Sequence, residues 1–143
     1  MSEIRRANLD AIEVGQKAFV ERTFDMDAVR AFAELSGDVN PIHLDADHAA
    51  TTRFGRPIVH GLLTASLVST VVGTRLPGLG SIYVSQTLRF RAPVFVGDTV
   101  RAEAEVTDVQ RDRRRVVLAT RCLVGEKVVI TGEAVMWIPP SED

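Results

Sequence analysis

The chain has 143 residues, of which 45% are hydrophobic and 25% charged, and its formal net charge is −2. This length suits a single domain with a substantial core over residues 1–143, of which we expect 1–13 to be poorly ordered. The balanced charge excludes the broad basic surface of a nucleic-acid-binding protein, the lone Cys122 excludes an internal disulfide framework, and no apolar run reaches the ~20 residues that span a bilayer. We therefore expect a cytoplasmic protein with no nucleic-acid or membrane partner.

The first half of the chain predicts one strand and two helices. Residues 15–24 alternate as a strand does, and Asp25 is placed to cap a helix over 26–35 that Ser36-Gly37 ends. Pro41 holds Asn40 extended, so we expect a fixed turn there and a short helix or turn over 45–54. Residues 60–74 are apolar on nearly all sides, which predicts a buried helix.

The second half of the chain predicts a sheet. From residue 82 onward the hydrophobic period changes from helical to two, and strands are expected over residues 82–90, 100–107, 116–124 and 128–138. Short turns join these strands, so they should be antiparallel. A long buried helix between the first strand and the other four is the layout of an α+β hot-dog fold, in which the antiparallel sheet wraps around the helix.

An acid and an imidazole lie five residues apart in the turn that follows the first helix. Asp38 and His43 flank the rigid Asn40-Pro41 pair, and Leu44 favours partial burial. A carboxylate and a neutral imidazole that converge on one water could take a proton from it and return a proton to a product, which contributes ~10²–10⁴-fold to a rate. The alternative is structural, with Asp38 in an Asx turn and His43 half-exposed.

Gly61 opens the long apolar helix directly after His60. The first N–H groups of a helix have no partner within it, and the helix dipole favours negative charge there. An acyl oxygen that gains negative charge during a reaction would be stabilised at Gly61, an effect of ~3–4 kcal/mol for one donor. The alternative is that the glycine only allows the chain to enter the helix in close packing.

Metal binding and covalent catalysis find less support in the sequence. The residues that could supply ligands to a metal are Asp38, His43, Asp45, Asp47, His48 and His60. Their spacings match no metal-binding motif such as H-E-x-x-H, so no metal is expected. No G-x-S-x-G motif is present, and Cys122 is expected to act as a small apolar residue in mid-strand. Ser66 and Ser69 would either bond carbonyls of their own helix or orient a catalytic side chain.

Residues 32–43, F-A-E-L-S-G-D-V-N-P-I-H, form the most distinctive segment of the chain. This segment resembles the signature of the MaoC-like dehydratases, and most of all that of the bacterial (R)-specific enoyl-CoA hydratases that supply polyhydroxyalkanoate synthesis. The likeness continues through R-P-I-V-H-G at 56–61, P-V-F-V-G-D at 93–98 and T-G-E-A-V at 131–135. It covers the chain from about Val14 onward, and the D-x-N-P-x-H element is its most specific part.

The resemblance implies a role for each matching residue. Asp38 and His43 would hold and activate a water, and the Gly61 N–H would polarise a thioester carbonyl. The residues implied to support them are Asn40, His60 and Ser69.

The resemblance further implies a homodimer in which two sheets join into one, with the acyl-CoA substrate entering near the interface. Arg89 and Arg91 are candidates for binding the CoA phosphates, although both would equally suit ordinary solvent-facing strand positions. Val68 and Val72 are candidates for the wall of an acyl tunnel, because both project from the buried helix beyond Gly61.

The activity that these roles imply is a hydro-lyase reaction of fatty acid metabolism, the reversible (R)-specific hydration of a trans-2-enoyl-CoA to an (R)-3-hydroxyacyl-CoA, without a cofactor. One alternative is a hot-dog acyl-CoA thioesterase, which would use a carboxylate-activated water to hydrolyse the thioester. Another is a 3-hydroxyacyl dehydratase that acts on acyl carrier protein substrates. A third is a non-catalytic acyl-binding subunit, which should lack the acid–base pair that this chain has.

Overall fold

The computed structural model describes residues 4–141. The helices and strands in chain order are β1 (Lys17–Thr23), α1 (Met26–Ser36), α2 (Pro41–Leu44), α3 (Ala46–Ala50), α4 (Gly61–Thr74), β2 (Ile82–Phe90), β3 (Thr99–Gln110), β4 (Arg115–Val124) and β5 (Lys127–Trp137), preceded by one 3-10 turn, Leu9–Ala11. Each strand that the hydrophobic pattern predicts is present, with its bounds shifted by at most a few residues.

The five strands form one antiparallel sheet in the order β1-β3-β4-β5-β2. The long helix α4 lies against the sheet and contacts β1 and β3 most extensively. Val68, Val71 and Val72 of α4 are at most 1% exposed and pack in one core with alternate residues of the strands. The predicted α+β hot-dog fold is therefore confirmed. Within residues 4–141, no helix has both the length and the hydropathy that crossing a bilayer requires.

Local capping sets the bounds of the helices that precede α4. The Asp25 carboxylate accepts a hydrogen bond from the Ala28 N–H at 2.9 Å, and Gly37 ends α1 in the left-handed region with φ 80°. The prediction that His43 belongs to the turn after the first helix is wrong, because His43 lies on the short helix α2. Pro41 starts that helix because its fixed φ suits a first helical position and its missing N–H costs nothing there.

The segment before β1 packs against the rest of the fold. The Arg5 N–H donates to the Thr74 carbonyl at 2.8 Å, and Leu9 and Ile12 are only 6% and 4% exposed. The Arg111 guanidinium, in the turn between β3 and β4, donates to the carbonyls of Leu9 and Ile12 at 2.6 and 2.9 Å. These contacts hold the segment before β1 against the fold, while the poor order expected of 1–13 stays a prediction; residues 1–3 lie outside the described part of the chain.

Candidate active site

The turn after α1 holds the Asp38 carboxylate in a defined place. The Ser36 hydroxyl donates to the Phe32 carbonyl at 2.7 Å and accepts from the Asp38 N–H at 3.1 Å. Oδ1 of Asp38 accepts from the Asn40 N–H at 3.4 Å, so the Asx turn considered from the sequence does form. Asp38 is nonetheless an exposed residue, so this turn does not enclose its carboxylate. The structural and chemical interpretations of Asp38 are thus compatible.

Asn40 fixes the start of the helix that carries His43. Its side-chain oxygen accepts from the Ile42 N–H at 3.2 Å and so caps α2. One turn later, His43 is only 9% exposed. Its ring bonds the backbone of Ile58, in the segment that leads to α4. Asn40 therefore supports the site through backbone contacts, and its side chain makes no hydrogen bond to the side chains of Asp38 or His43 among residues 4–141.

The hydrogen bond of His43 determines which ring nitrogen carries its proton. Nδ1 lies 2.7 Å from the carbonyl oxygen of Ile58. A carbonyl oxygen can only accept, so Nδ1 must carry the hydrogen. In the neutral ring Nε2 then presents a lone pair, which is the state that a general base or a water acceptor requires.

His60 joins the Asp38 turn to the start of α4. Its ring is 2% exposed, and Nε2 donates to the backbone carbonyl of Asp38 at 2.9 Å. The ring stacks on His43 with centroids 3.9 Å apart and meets Phe32 at 4.8 Å. Its Nδ1 is buried without a hydrogen-bond partner among the described residues. His60 thus connects the backbone of Asp38 to the ring of His43, directly before α4 begins.

These contacts bring three polar side chains to one point. One ligand atom from each of Asp38, His43 and His60 lies within 4.8 Å of the others. That spacing allows a single water to bridge the carboxylate and an imidazole at hydrogen-bond distance. If the site bound a metal ion instead, the same three residues would be its ligands, since they offer one oxygen and two nitrogen atoms.

The start of α4 borders a cavity of about 320 Å³ that His43 also lines. Gly61 is the first residue of this 14-residue helix, and His60 provides no side-chain cap to the helix N–H groups. Thr64, Phe90 and Ile130 form other parts of the wall. The cavity therefore combines a helix N-terminus, a ring nitrogen with a free lone pair and an apolar wall, which suits a small acyl group with one polar end.

The structure does not bring the other helix residues of the prediction to this cavity. Ser69 is exposed on α4 and makes no hydrogen bond with Asp38 or His43 within the described range 4–141. Val68 and Val72 are 1% and 0% exposed within the core, and neither lines the cavity. Their tunnel role stays a prediction that this geometry does not support.

The two candidate arginines differ in position. Arg91 lines the cavity, and its Nε donates to the Thr131 hydroxyl at 3.0 Å. Arg89 is exposed on β2 and does not line the cavity. Arg53, for which the sequence predicts no role, also lines the cavity, and its guanidinium carbon lies 5.0 Å from the centre of the Phe54 ring. A phosphate-bearing ligand that leaves the cavity would therefore meet Arg53 and Arg91 first.

Cys122 is a buried residue of β4, as the sequence predicts. Burial raises the pKa of its thiol to about 12. The thiolate is the nucleophilic form of cysteine, so Cys122 stays protonated and inert at neutral pH.

A larger depression of about 600 Å³ lies elsewhere, over the charged residues of β1, β3 and β4. The Arg101 and Arg121 guanidinium groups both bond the Glu103 carboxylate, at 2.8 and 2.6 Å. Burial tends to raise the pKa of Glu103, but these hydrogen bonds outweigh it and hold that pKa below its usual value. The charges there are paired with one another, so this surface is a weaker candidate for a reactive site than the cavity at Gly61.

Thr64 and Phe90 are two of the cavity-lining residues that the sequence did not identify as part of a site. Thr64 is a polar residue within an apolar helix, three positions after Gly61, and this pattern could have identified it. Phe90 reaches Gly61 only through the packing of β2 against α4, and no local pattern announces that contact.

The chain is similar to known proteins over nearly its whole length. Residues 8–128 match the family model described as MaoC like domain. The chain is 53% identical over 130 residues to an (R)-specific enoyl-CoA hydratase of Aeromonas caviae, covering 90% of this chain and 97% of that protein. It is 47% identical over 143 residues to a 3-hydroxybutyryl-CoA dehydratase of Methylorubrum extorquens, covering 100% of this chain and 91% of that one. The solved (R)-hydratase from A. caviae, described as involved in PHA biosynthesis, superposes with a TM-score of 0.88 and covers 90% of this chain and 98% of its own.

Proposed function

Because this chain belongs to the family of MaoC-like domains, we propose that it is a hydro-lyase that adds water reversibly to a trans-2-enoyl-CoA to give an (R)-3-hydroxyacyl-CoA. The observation that carries this proposal is the convergence of the Asp38 carboxylate and the His43 ring beside a cavity that the N-terminus of α4 borders. Adding water across a polarised double bond needs a proton acceptor, a proton donor and a site for negative charge, and these groups can supply all three.

Asp38 and His43 would hold the attacking water between them. Nδ1 of His43 carries the ring hydrogen, so Nε2 and the carboxylate are both acceptors, and the water donates one hydrogen to each. Both lone pairs of the water stay free, and one of them points at C3 of the substrate. As the C3–O bond forms, Asp38 takes one proton from the water, and the carboxylic acid so formed delivers a proton to C2 on the same face. The carboxylate is thereby regenerated, and water has been added without a cofactor.

Gly61 would stabilise the negative charge that this addition creates. When oxygen attacks C3, electron density moves through C2 to the thioester oxygen. The Gly61 N–H lies in the first turn of α4, where N–H groups have no partner within the helix and the dipole favours negative charge. A donor that is already in place needs no reorganisation during the reaction, which is why such groups contribute to catalysis.

The carrier of the acyl group is the main alternative within this chemistry. Arg53 and Arg91 at the cavity suit the phosphates of CoA, and the acidic surface of an acyl carrier protein would also find them attractive. The ratio of kcat/KM for crotonyl-CoA and for crotonyl-acyl carrier protein distinguishes the two, and we expect the CoA ester to be preferred.

We further propose that the active form is a homodimer joined along β2. This strand is at the edge of the sheet, and Ile82, Val84 and Phe90 on it are 49%, 44% and 52% exposed. An edge strand that exposes large apolar side chains is a template for pairing with another chain. Phe90 also lines the cavity, so pairing along β2 would place the partner near the substrate entrance. Light scattering after size-exclusion chromatography tests this, and Val84→Lys should shift the mass toward that of a monomer.

The decisive experiment follows crotonyl-CoA. We expect its enoyl absorbance to fall on addition of the enzyme, and an (R)-specific 3-hydroxyacyl-CoA dehydrogenase to oxidise the product while an (S)-specific one does not. Release of CoA thiol from butyryl-CoA, with no hydration of crotonyl-CoA in the parallel assay, would show a thioesterase and overturn the proposal. Absence of both activities in a folded protein would favour a non-catalytic acyl-binding subunit.

A further inference from the structure

Thr64 carries a buried hydroxyl that nothing in the described structure satisfies. Its side chain is 1% exposed, and Oγ1 has no hydrogen-bond partner among residues 4–141. A buried hydroxyl without a partner is unfavourable, and such groups are rare in folded proteins. Thr64 therefore calls for a partner that is absent from the chain itself.

Three other residues of α4 have hydroxyls that are bonded within the helix, unlike that of Thr64. Ser66 donates to the Leu63 carbonyl at 2.6 Å, Thr70 to the Ser66 carbonyl at 3.3 Å and Thr74 to the Thr70 carbonyl at 2.6 Å. Bonding of this kind to the preceding turn is the usual arrangement for such residues within a helix. The Thr64 hydroxyl makes no such bond, whereas the backbone N–H of Thr64 makes the regular helical bond to the His60 carbonyl at 3.1 Å.

Thr64 lies three residues after Gly61 on the same helix and lines the same cavity. Residues three apart share a face of a helix, and side chains tilt toward its N-terminus. Thr64 and Gly61 both line the cavity, together with His43. An atom bound next to the Gly61 N–H would thus be within reach of the Thr64 hydroxyl.

We propose that the Thr64 hydroxyl is a second hydrogen-bond donor to the thioester oxygen, beside the Gly61 N–H. This inference rests on the proposed function. The oxygen of a thioester carbonyl has two lone pairs, and the Gly61 N–H occupies only one of them. The attacking water already has acceptors in Asp38 and His43, so the thioester oxygen is the polar substrate atom that still needs a donor. As negative charge grows on that oxygen, the bond from Thr64 strengthens, and its contribution belongs to the transition state.

The test compares Thr64→Val, Thr64→Ser and the matched control Thr70→Val, all assayed with crotonyl-CoA. Thr64→Val keeps the shape of the side chain but removes the hydroxyl, and kcat should fall at least about tenfold with little change in KM. Thr64→Ser keeps the donor, and its kcat should stay within about threefold of the parent value. Thr70→Val removes a hydroxyl that is bonded within the helix, and kcat should not change.

Two further measurements separate this role from a structural one. The Tm of Thr64→Val should be equal to or higher than that of the parent, because the variant no longer buries an unpaired hydroxyl. The carbonyl stretching frequency of bound butyryl-CoA, which cannot react, should be higher in Thr64→Val than in the parent, since one donor is lost.

Full kcat and an unchanged carbonyl frequency in Thr64→Val would overturn the inference. Equal impairment of Thr64→Ser, or a fall in kcat matched by a fall in Tm, would also overturn it and assign Thr64 to packing. The parent enzyme tests the proposed function separately: if it does not hydrate crotonyl-CoA, that function is wrong, whereas activity retained in Thr64→Val defeats only the assignment of Thr64.

Discussion

The ring of Phe90 occupies the space that a side chain at position 61 would need. A Cβ atom built on Gly61 lies 2.7 Å from Cε1 of Phe90, closer than such atoms approach in folded proteins. The end of β2 and the start of α4 can therefore pack this closely only because residue 61 has no side chain. This contact closes one side of the cavity directly at the helix N-terminus.

Gly61→Ala should disturb this contact and lower activity. The added methyl group pushes the Phe90 ring away from the helix end, and we expect kcat for crotonyl-CoA to fall at least about tenfold as the donor geometry is lost. Phe90→Leu removes the atoms that clash, so the double variant should recover part of the activity. Failure of Phe90→Leu to rescue, in a protein with an unchanged circular dichroism spectrum, would show that the effect is not steric.

Asp38→Asn and His43→Gln should each lower kcat by at least ~10²-fold, because each removes one of two groups that act on the same water. The double variant should be little worse than the worse single variant, since residues that work as one unit are strongly non-additive. Binding of crotonyl-CoA should change much less. Near-normal turnover of both single variants in a folded protein would leave Asp38 as a turn-forming residue and refute the mechanism.

Acyl-chain preference should respond to Ile130 more than to Val72. Ile130 lines the cavity, so Ile130→Ala should raise kcat/KM for trans-2-hexenoyl-CoA relative to crotonyl-CoA. The activation free energy that separates the two substrates should change by ~1–3 kcal/mol at most. Val72 is fully buried in the core, and Val72→Ala should instead lower the free energy of unfolding by about 2 kcal/mol. A gain in hexenoyl-CoA activity for Val72→Ala alone would support the tunnel role predicted from the sequence.

Glu103 should make stability depend on pH in the acid range. Its folded-state pKa lies below its ordinary value of 4.5, because its bonds from Arg121 and Arg101 outweigh the effect of burial. The contribution of this carboxylate is therefore fully present above that ordinary value and is lost as the pH falls through the lower, folded-state pKa. Urea unfolding of the parent and of Glu103→Gln should show a stability difference at pH 7 that shrinks toward pH 3. A difference that is constant with pH would contradict this account.

Removal of metal ions should leave activity unchanged. Asp38, His43 and His60 are close enough to bind a cation, yet the proposed mechanism needs only a water in that place. We expect full turnover of crotonyl-CoA after dialysis against EDTA, and no further gain on addition of Zn²⁺ or Mg²⁺. Loss of activity that Zn²⁺ restores would replace the general-base mechanism with a metal-bound water.

The parts of the site that could be predicted from the sequence are those that short-range chemistry determines. Asp38, Asn40 and His43 belong to one turn and one short helix, so their spacing and the rigidity of Pro41 already place them together. The bond from His60 to the Asp38 carbonyl joins positions 22 apart in the chain, and its formation depends on where α4 lies against α1. Such contacts result from packing over the whole domain, which hydrophobic periodicity does not specify.

The segment before β1 shows the same limit. Its residues are polar enough to suggest an untethered end, yet Leu9 and Ile12 are buried and Arg111 bonds their carbonyls. The partner of this segment is a turn about a hundred positions away in sequence, and a local pattern holds no information about it.

The hydrogen bonds that orient His43 and His60 both end on main-chain oxygens, those of Ile58 and Asp38. A substitution at position 58 changes the side chain but leaves its carbonyl in place, and Asp38→Asn does the same. Substitutions of Ile58 or Asp38 can thus change the shape of the cavity or remove the carboxylate, while each histidine ring keeps its hydrogen on the same nitrogen. Directed evolution toward other substrates could therefore vary Ile58 and still inherit an imidazole in its working tautomer.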